Sequence, residues 1–213
     1  MKKNTAWYLT ALIAALAWIA LILQLVLMIR KSPETFMGVA NTALNYFSYF
    51  TILSNLMVAV SCTYSLKKRD AGFRYFFTRV ETRTGIQLYI LVVGIVYSVA
   101  LRKIWNPQGL DKVADEMLHD IIPVLHTLWW ILFAPRKALI WKNAAWWLVI
   151  PALYLAYSMF RGVFTGWYPY YFINTAELGI GKVMVNSAVM LAAFVGLGLL
   201  LIAVNKSLPK KTA

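Results

Sequence analysis

Long apolar runs, one after another with the charges confined between them, constrain this chain more than any other feature. Six follow in order, over about 7–29, 45–66, 85–101, 118–134, 144–160 and 183–204. A membrane-crossing helix takes about 20 apolar residues, with ~17 as the lower limit, so each run is long enough to span. Runs three, four and five sit near that limit and are expected to draw on their flanks. Backbone polar groups in hydrocarbon must be satisfied within the segment, and no run alternates as a barrel strand does, so each predicts a helix. The first run follows Lys2 and Lys3 as a signal core would, but at 23 residues it reads as a retained helix. The expected fold is all-α: one polytopic membrane domain over 1–213, a bundle of six transmembrane helices.

Composition agrees with that reading. With 61% hydrophobic and 14% charged residues in 213, a water-soluble fold has too little interior to hide the apolar surface. The net charge of +13 suits a nucleic-acid binder in size but not in distribution. Lys and Arg gather at the ends of the runs, where insertion and anionic lipid favour them, and nucleic acid is excluded as a partner. Counted by side, 14 basic residues fall on the face shared by the termini and the second and fourth loops, and seven on the other. The amino and carboxyl termini are therefore expected in the cytoplasm, with the chain multi-pass in the cell (inner) membrane. Tryptophan and tyrosine near run ends, among them Trp7, Tyr8, Tyr46, Trp105 and Trp141, fit interfacial belts. A single cysteine, Cys62, rules out an internal disulfide.

Polar groups at membrane depth are the place to look for function. Thr51, Ser54 and Asn55, spaced i, i+3, i+4, share one helical face near the start of the second run, with Thr51 about 9 Å along from Asn45. Such residues also serve as hydrogen-bonding glue between membrane helices. The fourth run opens on His119, with Asp115, Glu116 and Asp120 close by to set its tautomer. His126, the only other histidine, lies seven residues further on the same face. Two histidines on one face are an incomplete ligand set, so neither a metal nor another cofactor is expected. From Tyr157, at the end of the fifth run, an aromatic stretch holds Tyr157, Arg161, Gly162, Gly166, Trp167, Tyr168, Pro169 and Tyr170. Its composition suits a packed lid over an outer cavity, and Arg161 fits either a substrate anion or a lipid phosphate.

The stretch 49–55, the His119-x-x-x-Pro123 opening and the Tyr157…Arg161-Gly162…Gly166-Trp167-Tyr168-Pro169-Tyr170 loop together resemble a bacterial six-span membrane family of unassigned function. That family is distantly similar to the eukaryotic androgen-induced membrane hydrolases, which cleave fatty acid esters of hydroxy fatty acids with a threonine and a histidine. The resemblance implies Thr51 as nucleophile and His119 as base. Ser54, Asn55, Arg161, Tyr157 and Tyr168 would then line the pocket. Where the bacterial family often carries Pro-Phe-Leu-Asp after Tyr-Pro-Tyr, this chain has Tyr171-Phe172-Ile173-Asn174, so Asn174 supplies no carboxylate. The implied partners are membrane lipids and a fatty-acyl ester substrate near the outer face. Two other readings stay open: a non-catalytic lipid-binding or scaffold protein, and a small-molecule transporter. The small pair Ala192 and Gly196 serves packing within one bundle as readily as dimerisation, so oligomeric state is not read from it.

Overall fold

The computed structural model describes residues 2–67 and 72–209, and among them every regular element is helical. Of the basic residues counted for orientation, Lys68, Arg69, Lys210 and Lys211 lie outside the described residues. The chain groups into two compact units, Met1–Pro135 and Arg136–Ala213.

In the first unit α1 (Lys2–Arg30) is followed by α2 (Phe36–Phe47), α3 (Phe50–Ser65), the short α4 (Phe73–Thr78) and α5 (Val80–Val96). A π-turn over Tyr97–Leu101 ends α5, and α6 (Leu110–Glu116) runs through a second π-turn, Met117–Ile121, into α7 (Ile122–Phe133). The bundle is organised around α3, which packs on α1 and α5, while α7 packs on α5 and α1. Ala14, Ala17 and Ala20 are buried on one face of α1 beside Ile13 and Leu21. Small residues at this spacing let two helix backbones approach closely, which is how membrane helices gain van der Waals contact. The Trp18 indole donates to Thr63 Oγ1 at 3.0 Å, a polar tie between α1 and α3.

The run expected over 45–66 is divided. α2 and α3 meet at 71° across Ser48 and Tyr49, so the straight part of that segment starts at Phe50. The Ser48 hydroxyl donates to the Leu44 carbonyl at 2.6 Å, a local bond that bends helices. Tyr46 is buried instead of standing at the interface, and its hydroxyl donates to the Leu21 carbonyl at 2.8 Å. Thr51 therefore sits in the first turn of α3, where the positive end of the helix dipole lies.

In the second unit α8 (Asn143–Trp147), α9 (Val149–Thr165) and a 3₁₀ turn (Tyr171–Ile173) precede α10 (Thr175–Ser207). Asn205 anchors the start of the unit: its side-chain oxygen accepts from the Ala138 and Leu139 amides, and its carbonyl from the Lys137 amide. Gly166, at φ 69°, closes α9 in the left-handed conformation that glycine adopts most easily. α10 is interrupted at Gly179, where φ is 73° and ψ 155°.

Among the described residues four helices are long and apolar enough to cross a membrane: Asn4–Arg30, Val80–Leu101, Asn143–Thr165 and Thr175–Ser207. The bent pair α2–α3 makes a fifth if it is one span. In the third and fourth of these only 11% and 22% of the apolar window is buried within the molecule. So much outward-facing apolar surface, including Leu153, Phe160, Val163 and Phe164 on α9, is what lipid solvates and water does not.

Candidate functional site

His119 arrives at its position through a local irregularity. Pro123, four residues on, has no N–H to give the His119 carbonyl its ordinary helical bond. The chain widens into the π-turn Met117–Ile121, where the Ile122 amide reaches back to the Met117 carbonyl. Such turns bulge one residue outward and recur at functional sites. Gly94 of α5 lets this bulge approach, because a Cβ there would stand 3.1 Å from the His119 carbonyl oxygen and 3.2 Å from Pro123 Cβ. The end of α5 carries a π-turn of its own, with Tyr97 as its first residue.

The two irregular turns, the end of α6 and the first turn of α3 bring four side chains together. The Thr51 hydroxyl lies 3.3 Å from His119 Nε2, across 68 residues of sequence. On the other side of the ring, Nδ1 is 2.9 Å from the Asp115 carbonyl oxygen and 3.1 Å from Asp115 Oδ1. Tyr97 donates its hydroxyl to Asp115 Oδ2, and its ring stacks on the imidazole at 4.1 Å and 12°. Thr51, Asp115 and Tyr97 are buried, and His119 is mostly so. Asp115 lies one turn before the apolar segment 118–134. Burial pushes its carboxyl up, but hydrogen bonds from His119, Tyr97 and Trp105, with the attraction of the His119 ring, outweigh that and hold it below the usual carboxylate value.

The three acids around His119 are thus sorted. Asp115 faces the ring, Asp120 pairs with Arg102, and Glu116 sits 3.8 Å from Lys112. Arg102 also lies over the Tyr97 ring, 4.8 Å from its centroid. Sequence reasoning named Asp115 as a neighbour but not as a site residue, although its i, i+4 relation to His119 was the available signal. Tyr97 carried no such signal, because its place depends on how α5 packs.

Asn55 is engaged structurally. Its amide nitrogen donates to the Thr51 carbonyl at 2.9 Å and to the Leu118 carbonyl at 3.2 Å, which ties α3 to the His119 turn. With both donors directed at backbone, Asn55 has none left for a developing oxyanion. Its Oδ1 and the Ser54 hydroxyl are buried without a hydrogen-bond partner. His126 stands apart from Thr51 in a separate buried pair: its Nδ1 is 2.6 Å from Gln87 Oε1, while Gln87 Nε2 donates to Thr127 Oγ1 at 2.7 Å. Cys62 is also buried. Among the described residues no group of three or more His, Cys, Asp or Glu side chains is placed to hold a metal ion.

The remaining predicted site residues belong to the second unit. Arg161 lies inside α9, one turn from its end, with its guanidinium 4.4 Å from the centroid of the Trp167 ring. Tyr168 packs directly on Gly162, where a Cβ would fall 2.0 Å from the ring, and its hydroxyl is 2.5 Å from Thr175 Oγ1. Tyr157 is half exposed on α9. Arg161, Gly162, Trp167 and Tyr168 thus form one packed corner that closes α9 and leads to α10.

Comparison with protein-family models, with curated proteins and with solved structures gives no match. The class that the fold defines is an all-helical protein with several membrane-compatible apolar helices.

Proposed function

We propose that this chain is an integral-membrane hydrolase of lipid or fatty-acyl esters, with Thr51 as nucleophile and His119 as general base. The observation that carries the reading is the 3.3 Å approach of the Thr51 hydroxyl to His119 Nε2 from helices distant in sequence, in a site largely closed to solvent. A threonine hydroxyl is a weak nucleophile until a neighbouring base takes its proton, and a neutral imidazole nitrogen at hydrogen-bond range is the usual partner.

The reaction follows from that pair. His119 Nε2 takes the hydroxyl proton as Thr51 Oγ1 bonds to the ester carbonyl carbon. The tetrahedral intermediate collapses, the bond to the alcohol oxygen breaks, and His119 returns the proton to the leaving alcohol. Water then attacks the acyl-threonine with His119 taking its proton, the fatty acid leaves, and Thr51 regains its hydrogen. Negative charge on the carbonyl oxygen in both steps is favoured by the positive end of α3, in whose first turn Thr51 lies.

In this reading the segment 118–134 is a further span and the chain crosses the inner membrane six times. Its hydropathy is lowered by polar residues, His119 of the site and Asp120 beside it among them. Both termini are then cytoplasmic by the 14-to-seven excess of basic residues, and the site opens near the outer face.

Detergent-purified protein treated with an alkyl p-nitrophenyl phosphonate, an acyl-ester mimic, tests the mechanism. Wild type is expected to be labelled on Thr51, and Thr51→Ala and His119→Ala are expected to lose the label. Labelling that persists in either variant defeats the mechanism. A folded wild type that takes no label turns the reading toward binding or transport, for which the break between α2 and α3 is the supporting feature.

A further inference from the structure

The reaction above uses one face of the His119 ring, and the other face is as fully built. Nδ1 points at two oxygens, the Asp115 carbonyl at 2.9 Å and the Asp115 carboxylate at 3.1 Å. Two acceptors and no donor at Nδ1 require the ring hydrogen to be there, which leaves Nε2 with its lone pair toward Thr51. The carboxylate in turn is held from its far oxygen by the Tyr97 hydroxyl. Tyr97 is nearly fully buried and also covers the imidazole face, so neither group rotates away without breaking the stack. The competing charges are taken up elsewhere, Asp120 by Arg102 and Glu116 by Lys112.

We propose that Asp115 is the positioning carboxylate of this site: clamped by Tyr97, it orients the His119 ring and balances the positive charge that the ring gains when it takes the Thr51 proton. The catalytic half of this inference rests on the hydrolase reading, whereas the clamp on the ring stands on the geometry alone. A carboxylate in this relation to a histidine stabilises the imidazolium formed during reaction without itself taking a proton. Burial strengthens that interaction, because the charges face each other with little water between them.

The phosphonate labelling rate, measured against probe concentration, separates binding from chemistry. Asp115→Asn keeps the backbone carbonyl at Nδ1 but removes the charge, and is expected to lower the maximal labelling rate by about 10²–10⁴-fold with the half-saturating concentration unchanged. Tyr97→Phe keeps both the stack and the carboxylate and is expected to lose less. An Asp115→Asn protein that labels at the wild-type rate overturns the positioning role and leaves the Thr51–His119 pair standing. A second readout needs no activity. The chain has two histidines, so ¹⁵N-histidine-labelled protein gives two sets of ring-nitrogen resonances, assigned by His119→Gln. Asp115→Asn is expected to move the His119 set and leave the His126 set in place; an unmoved His119 set overturns the inference whether or not wild type takes the probe.

Discussion

Asn55 shows how one buried amide sets the geometry of a site it does not enter. Its nitrogen bridges the carbonyls of Thr51 and Leu118, the residue itself on one side and the immediate neighbour on the other of the Thr51–His119 contact. A Leu in its place removes both bonds: the Thr51 carbonyl keeps its helical backbone donor, while the Leu118 carbonyl loses the donor that reaches it from α3. At about 1 kcal/mol per bond, Asn55→Leu is expected to lower stability by roughly 1–2 kcal/mol. A fall in the thermal unfolding midpoint of the detergent-solubilised protein, accompanied by slower phosphonate labelling, is the result to look for. Ser54, one residue earlier and fully buried, makes no comparable bond, so two polar residues adjacent in sequence have different duties.

At the scale of elements, the site exists because three helices depart from regularity together. α3 begins abruptly after the bend at Ser48 and Tyr49, α5 ends in a π-turn at Tyr97, and a π-turn links α6 to α7 at His119. Pro123 causes the last of these, since a residue with an N–H would let the turn close into ordinary α-helix. Pro123→Ala is expected to retain or raise thermal stability while rotating His119 away from Thr51. A displacement of about 1 Å at a reacting group costs on the order of 10²-fold in rate. Loss of labelling in a protein that melts no lower than wild type would mark the π-turn as serving chemistry and not folding.

For the whole molecule, the outward apolar surface and the distribution of charge govern placement in a bilayer. The second unit buries little of its own apolar length, so its helices depend on lipid for their solvation. Orientation is set by basic residues in the short loops, and the even number of spans proposed here puts both termini on one side. Reporter fusions active only in the cytoplasm are expected to be active at the carboxyl terminus and in the connection 67–79 that leads to α5, and silent when placed in the 102–109 loop. Activity in the last would reverse the orientation and move the Thr51 site to the inner face.

The sequence by itself determined the helical class and the membrane environment, because apolar run length and charge placement are local properties that lipid reads directly. Polar residues are conspicuous in such runs, which marked the stretches around Thr51 and His119, while the pairing of those two came from the resemblance. The sequence did not disclose the break at Ser48–Tyr49, because a serine bending its helix looks like any serine. Nor did it choose Asp115 among the three acids near His119, tie Asn55 to the Leu118 carbonyl or bring Tyr97 to the site, all of which depend on how the helices pack. Those pairings were decided by tertiary structure: Gly94 admits the His119 turn, and the packing of α5 against α7 sets Tyr97 over the imidazole. Contacts across 68 residues of chain arise only when helices dock, and docking depends on shape and small-residue placement that no local pattern encodes.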